Sequence, residues 1–363
     1  MIKMGKNQIS NLQAIRAIAA LAVVFDHTFA TSLKGIVDNR IYIYMHDFLN
    51  NLGWLGVNVF FVLSGFLMIF TQKKDKNSFE FLSDRIVRIY PPYMIYSTPI
   101  IIYALFSAQY DHRIENTVQL LQNIFLIPGI KGFEYKSANF PSWTLVYEMF
   151  FYFIFSIVLF FSRNKIKISI MVSTFLIIIL AYMYLRFGGV DTGNLTDFIY
   201  MTKNVILLNF VSGCLLGAFI NKNSLKKNNK FLVPLVITMF LFLSAIRLIL
   251  NQYINDDIVS IFIGVIPSTF IILFALRYEE VKMPTINLIG DASYSIYLTH
   301  VSLLFIKNKI MSFIYSGDSI WIIILGNLLF VLLSTVIGVV LYRTIEKPII
   351  QKLKKKQKII ILE

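Results

Sequence analysis

Cysteine is almost absent from this chain. Cys214 stands alone among 363 residues, which excludes a disulfide scaffold and a Cys-ligated metal site. Charge is scarce as well. Asp, Glu, Lys and Arg make up 15% of the sequence, against about 25% in an ordinary soluble domain. That poverty excludes a disordered, solvated tail as the bulk of the chain and argues against ordinary globular folding. There is no HExxH, no paired-carboxylate cage and no CxxC, so a metal centre has little support. GxGxxG, Walker and GxSxG patterns are also missing, which removes the motif basis for a dinucleotide site, a P-loop and a serine elbow.

What fills the chain instead is apolar, at 57%. A helix crosses a bilayer with about 20 mostly apolar residues. Ten such runs are visible, at 11–31, 51–70, 90–109, 142–161, 168–187, 199–220, 231–250, 258–276, 286–306 and 320–342. They are too long and continuous for the alternating strands of a barrel, so the fold class expected is all-α: a polytopic helical bundle. The first run contains Arg16, Asp26 and His27 and is too long for a secretory signal, so it reads as an uncleaved span.

Net charge is +14. In a soluble chain that excess would suggest nucleic acid; here the cations lie between apolar runs and report topology, so no nucleic-acid partner is expected. With the N-terminus in the cytoplasm, 23 of the 34 Lys and Arg fall in inner segments and 8 in outer ones, and both ends are expected inside. Residues 118–130 are apolar but short and end at Pro128-Gly129, so they read as an interfacial or re-entrant piece of an outer loop. The chain is expected to form one membrane unit over 1–348, followed by a basic cytoplasmic tail over 349–363.

Ionisable groups at membrane depth are costly and point to function by default. Arg16 and His27 are eleven residues apart, about three turns and about 16 Å along one helix face. Arg16 fits either a snorkelling cation or a ligand for an anion; His27 fits either a packing histidine or a base. Asp26 points about 100° away from His27, toward the outer water. Glu148 follows in PSWTLVYE, about 9 Å inward from Ser142 and at a depth similar to His27. A carboxylate there suits an imidazole, whose tautomer and basicity it would set. Arg85 and Arg88 in DRIVRIYPPY share a helical side at the inner mouth of the third span, with Pro91 and Pro92 marking where the chain enters the membrane. Guanidinium forks suit phosphate; plain inner anchoring is the bland reading. His300 in SYSIYLTH lies near Tyr297 and fits a structural cross-helix bond as well as a site. His46 and His112 fall in outer loops and are expected in solvent. Ser64-Gly65 in FFVLSGF fit close helix packing.

Taken in order, these motifs resemble the acyltransferase-3 family of integral membrane acyltransferases. The resemblance runs from Asn11 to Pro348. It rests on Arg16 with His27, the GWLGVNVFFVLSGF segment, Arg85 and Arg88 before Pro91, Ser142-Trp143 with Leu145 and Glu148, Ser293 to His300, and Glu346-Lys347-Pro348. Asn58 stands where many relatives carry Asp, so no acid–base role is given to it. The resemblance implies a multi-pass inner-membrane O-acyltransferase without a permanently bound cofactor. Its donor would be cytoplasmic acetyl-CoA or another acyl-CoA. Its acceptor would be a carbohydrate hydroxyl, lipid-linked or not, of an O-antigen (lipopolysaccharide), capsule or exopolysaccharide, reached among membrane lipids. Arg16, Arg85 and Arg88 would meet the CoA phosphates, and His27 would act as base or acyl relay supported by Glu148. Asn58, Ser142, Trp143, Tyr297 and His300 are supporting candidates, the first three as weak oxyanion donors. A transporter, a flippase or a polysaccharide polymerase also matches a polytopic chain with intramembrane His, Glu and Arg. No inverted repeat or matching pair of broken spans favours the first two.

Overall fold

The computed structural model describes residues 6–30, 32, 39–73, 76–107, 114–130, 135–188, 197–220, 260–277, 283–314 and 320–362. Regular structure among them is helical, and an isolated β-bridge joins Gly129 and Asp197. In chain order the helices are α1 (Lys6–Phe29), α2 (Asn39–Phe70), α3 (Ser78–Phe106), α4 (Thr117–Phe125), α5 (Trp143–Phe161), α6 (Lys165–Phe187), α7 (Phe198–Lys203) and α8 (Leu207–Phe219). They continue with α9 (Ile266–Arg277), α10 (Pro284–Asp291), α11 (Ser293–Ile314), α12 (Ile320–Leu341) and α13 (Lys347–Leu362). π-Helical turns at Ile261–Val265 and Tyr342–Glu346 lead into α9 and α13.

Five helices among the described residues are long and apolar enough to cross a membrane: Ser10–Phe29, Ile41–Phe70, Phe140–Phe161, Lys165–Phe187 and Ile320–Lys355. The architecture is therefore all-α and multi-pass. Several expected spans differ in detail. The run 199–220 is divided at Asn204, whose extended backbone separates α7 from α8 and whose Oδ1 accepts from the Ile206 amide at 2.9 Å. The run 286–306 is divided at Ala292, between α10 and α11. The run 231–250 lies outside the described residues.

One expectation is corrected by where a helix starts, and others are refined. α2 begins at Asn39, so His46 lies on a helix beside Asp47 (3.5 Å), partly covered, and not in a solvated loop. His112 lies outside the described residues. α3 begins at Ser78, so Arg85, Arg88, Pro91 and Pro92 belong to one continuous helix, and the prolines interrupt its bonding without opening it. An Asn77–Glu80 capping box starts that helix two turns before Arg85. α4 has nine residues, about 13 Å, too short to span.

The chain divides into two compact units. The first comprises Met1–Leu63 and Phe219–Val339; the second comprises Ser64–Ala218 and Val340–Glu363. In the first, α1 packs on α9, α10 and α11. In the second, α3 packs on α4, α5 and α13, and α6 packs on α5 and α7. Aromatic side chains fill the second unit. Phe151 stacks on Phe210 at 4.1 Å between centroids, and Phe81 lies 4.7 Å from Phe155. Gly65 makes that packing possible, since a Cβ there would collide with the Phe210 carbonyl of α8.

Candidate active site

The first unit holds a two-rung ladder between α1 and α11. Arg16 Nη2 donates to Ser293 Oγ at 2.9 Å. Eleven residues further along α1, His27 Nδ1 meets His300 Nε2 at 2.8 Å. Both contacts advance in the same chain direction, so α1 and α11 run parallel along this seam. The first motif of the sequence thus meets the late SYSIYLTH motif at both of its ends.

The imidazole pair has a direction. His300 Nδ1 lies 3.3 Å from the Ile296 carbonyl oxygen, and a carbonyl only accepts. Nδ1 of His300 therefore carries the proton, which leaves Nε2 as the acceptor in the neutral ring. His27 then donates from Nδ1, and its basic nitrogen is Nε2. A backbone carbonyl on α11 thereby assigns, through His300, the Nδ1–H tautomer to His27 in the neutral pair. Tyr297 packs beside them, with its ring centroid 6.0 Å from that of His300 and edge-on to Phe60.

One expectation in this unit changes. Asp26 does not face outer water: it is buried, and Gly53 of α2 leaves no room for a Cβ against its carboxylate. The Asn58 candidate is not tested by its surroundings: it is buried and donates from Nδ2 to the Trp54 carbonyl at 2.7 Å, one turn back on its own helix. Its amide thus has a packing partner within α2.

The second unit gathers charge. Glu148 Oε1 accepts from the Tyr152 hydroxyl, one turn on along α5, and from Ser64 Oγ at 3.4 Å. The Arg85 guanidinium lies over the rings of Phe81 (5.1 Å) and Tyr152 (5.4 Å). Tyr152, Arg88, Glu148 and Asp84 are all within electrostatic reach of it. Lys76 forms an ion pair with Asp84. Ser142 is fully buried at the head of α5, with its Oγ 2.7 Å from Ser137 Oγ and 3.4 Å from the Tyr135 hydroxyl. Trp143 packs edge-on to Tyr147. The loop that delivers Ser142 is stapled by Asn123, which donates to the carbonyls of Gln119 and Lys136 and accepts from the Ala138 amide. Asn139 adds a bond to Ser97 Oγ at 2.9 Å.

Arg16, His27, Tyr297 and His300 are thus brought together in one unit, and Arg85, Arg88 and Glu148 in the other. Ser142 and Trp143 occupy the start of the Glu148 helix. Three participants were not singled out from the sequence. Ser293 lies inside the late motif but had no assigned role. Tyr152 is four residues after Glu148, a spacing that places both on one helical face. Ser64 reads as a packing residue, yet its hydroxyl also reaches the carboxylate.

A sequence model of the acyltransferase-3 family, described as an acyltransferase domain, matches residues 9–343. The chain belongs to this family: it is a multi-pass membrane acyltransferase. Among similar proteins is the exopolysaccharide production protein ExoZ of Rhizobium meliloti (strain 1021), 26% identical over 313 residues that cover 83% of this chain and 90% of ExoZ. Another is the O-acetyltransferase OatA of Staphylococcus aureus (strain NCTC 8325 / PS 47), 24% identical over 379 residues that cover 95% of this chain. The matched region is 57% of OatA, so the chain spans little more than half the length of that relative. No solved structure matches.

Proposed function

We propose that this protein is an O-acetyltransferase of the inner (cytoplasmic) membrane, with ten spans and both ends cytoplasmic. It moves an acetyl group from cytoplasmic acetyl-CoA to a hydroxyl of a surface polysaccharide sugar, whether O-antigen, capsule or exopolysaccharide. The observation that carries the reading is the His27–His300 pair at 2.8 Å, in a chain that belongs to an acyltransferase family. Similarity to an exopolysaccharide production protein and to an O-acetyltransferase supports the acceptor class and the acetyl group.

The chemistry is a thioester-to-ester exchange. His27 Nε2 takes the proton of the acceptor hydroxyl as its oxygen attacks the thioester carbonyl carbon. The new C–O bond forms, the C–S bond breaks, and the departing thiolate takes a proton from the imidazolium. In the relay form Nε2 attacks the thioester carbonyl first and the C–S bond breaks to release the thiolate; the hydroxyl oxygen then attacks the acyl-imidazole, the C–N bond breaks, and the hydroxyl proton goes to the thiolate. Arg85 and Arg88 receive the phosphates of the donor, with Arg16 as a further cation along the α1 face. Glu148 supports the transfer electrostatically, tied to Tyr152 and in reach of Arg85. Exclusion of water protects the thioester.

Mass spectrometry of surface glycans is the test. Cells carrying the wild-type gene should show an acetyl-sized mass shift that disappears with the gene and is not restored by His27→Ala, although that variant still reaches the membrane. Full acetylation by His27→Ala would overturn the base or relay role. An unchanged glycan with altered lipid or glycan export would favour a transporter.

A further inference from the structure

We infer that the C-terminal helix α13 is part of the donor site, and that Lys354 joins Arg85 and Arg88 in binding the phosphates of a nucleotide-bearing thioester. The inference rests on the proposal that Arg85 and Arg88 receive those phosphates.

By sequence alone, the seven cations after residue 342 read as inner anchors. The structure gives the segment a fixed place. The chain leaves α12 through the π-helical turn Tyr342–Glu346, and both that turn and α13 pack on α3, the helix of Arg85 and Arg88. Glu346 is buried in the turn. From there Ile349, Ile350, Leu353 and Gln357 are partly covered, whereas Lys347, Gln351, Lys352, Lys354 and Lys355 are exposed. This is the pattern of one docked face and one wet face. Gln357 Nε2 closes the contact by donating to Ser83 Oγ at 2.6 Å, two residues before Arg85. Lys354 is three residues from Gln357, hence on a neighbouring part of the helix surface. Its charge is within reach of Asp84, Arg88, Arg85 and Lys76.

The cations here differ in how they are employed. Arg163 donates to the Lys76 carbonyl, and Lys165 donates to the Phe70 carbonyl at 2.6 Å. Arg163 is thus tied to the segment between α2 and α3, and Lys165 to the end of α2. Lys76 is paired with Asp84. Arg85 is held by two aromatic faces, and among the described residues no hydrogen bond occupies its guanidinium. The same is true of the Lys354 ammonium. Guanidinium N–H groups held in place without acceptors are poised for an oxyanion that brings several lone pairs. The second helix sets Lys354 beside Arg85, Arg88 and Lys76 with one carboxylate, Asp84, in reach of it, so cations outnumber anions here and an incoming anion would relieve the repulsion that remains. A donor with a pyrophosphate and a third phosphate fits this need better than a single carboxylate.

An anionic lipid headgroup shares the phosphate chemistry, so the experiment separates the two sources. Full-length enzyme is assayed in neutral detergent with acetyl-CoA and with acetyl-pantetheine, which carries the same thioester without phosphates. Lys354→Glu should raise the ratio of the KM for acetyl-CoA to that for acetyl-pantetheine about tenfold. Gln357→Ala, which frees the helix from Ser83, should raise it by a smaller factor, and Lys354→Arg should leave it near the wild-type value. An unchanged ratio in Lys354→Glu overturns the inference. So does a change that appears only in vesicles containing phosphatidylglycerol, which would assign α13 to the lipid surface. Equal losses in Lys354→Glu and Lys354→Arg overturn it too, since packing and not charge would then be at work. Arg85→Ala is run in parallel. If it raises the ratio and Lys354→Glu does not, only α13 is excluded; if neither does, the phosphate role of Arg85 and Arg88 falls first.

Discussion

The two units handle polar groups in opposite ways. In the first, along the α1–α11 seam, Arg16 donates to a serine hydroxyl and His27 meets a second imidazole. In the second, charges meet charges and aromatic faces: Lys76 with Asp84, Arg85 above Phe81 and Tyr152, and Glu148 beneath the Tyr152 hydroxyl. The physical reason for such a division is the cost of buried charge. A neutral, hydrogen-bonded imidazole pair loses less by leaving water than a charged group does. A phosphate-bearing ligand needs cations, and buried cations need nearby anions or π faces to be tolerated until the ligand comes. In the proposed function the first cluster would move a proton and the second would hold an anion.

Substitutions can break this contrast at three levels. The largest effect is expected at His300. His300→Leu removes the acceptor that orients His27 and should lower kcat by about 100-fold, whereas His300→Gln keeps an acceptor near the same position and should lose only about tenfold. Steady-state acetyl transfer measures both. Equal losses would mean that His300 only fills space. Next comes Arg85→Ala, which should raise the KM for acetyl-CoA about tenfold, the worth of a charge-assisted bond. A fall in kcat with KM unchanged would move Arg85 from the anion-holding unit to the chemistry. The smallest effect is expected at Ser64. Its 3.4 Å contact with Glu148 is long, so Ser64→Ala should alter kcat/KM by about threefold or less. A loss as large as that of His300→Leu would show that the carboxylate depends on this hydroxyl and would blur the distinction between the units.

Much of the fold was legible because membrane helices announce themselves. Runs 11–31, 51–70, 142–161, 168–187 and 320–342 each correspond to a helix long enough to cross, since satisfying the backbone in lipid leaves few alternatives. The breaks at Asn204 and Ala292 were not legible, because the flanking residues are apolar on both sides and hydropathy does not register a local turn. Nor was the helical placement of His46: a segment with moderate hydropathy before Asn51 reads as a loop, yet it extends α2 by three turns. The site shows the same division. Arg85, Arg88 and Glu148 could be found as costly charges. Tyr152 and Ser64 could not, because a tyrosine in an aromatic run and a serine beside a glycine look like packing.

The amino-acid sequence by itself determined the class of protein. Apolar length requires helices in a membrane, and six short motifs in order identify the acyltransferase family. Tertiary structure alone decided which of the motif residues meet. Arg16 and Ser293 are 277 positions apart, as are the two histidines to within four, and no local periodicity connects them. The tautomer of His27 depends on a backbone carbonyl of another helix, and the basic tail gains its place beside Arg85 from a bond to Ser83. Hydropathy acts residue by residue and survives in the linear chain; hydrogen bonds are directional and short, and exist only after the helices have packed.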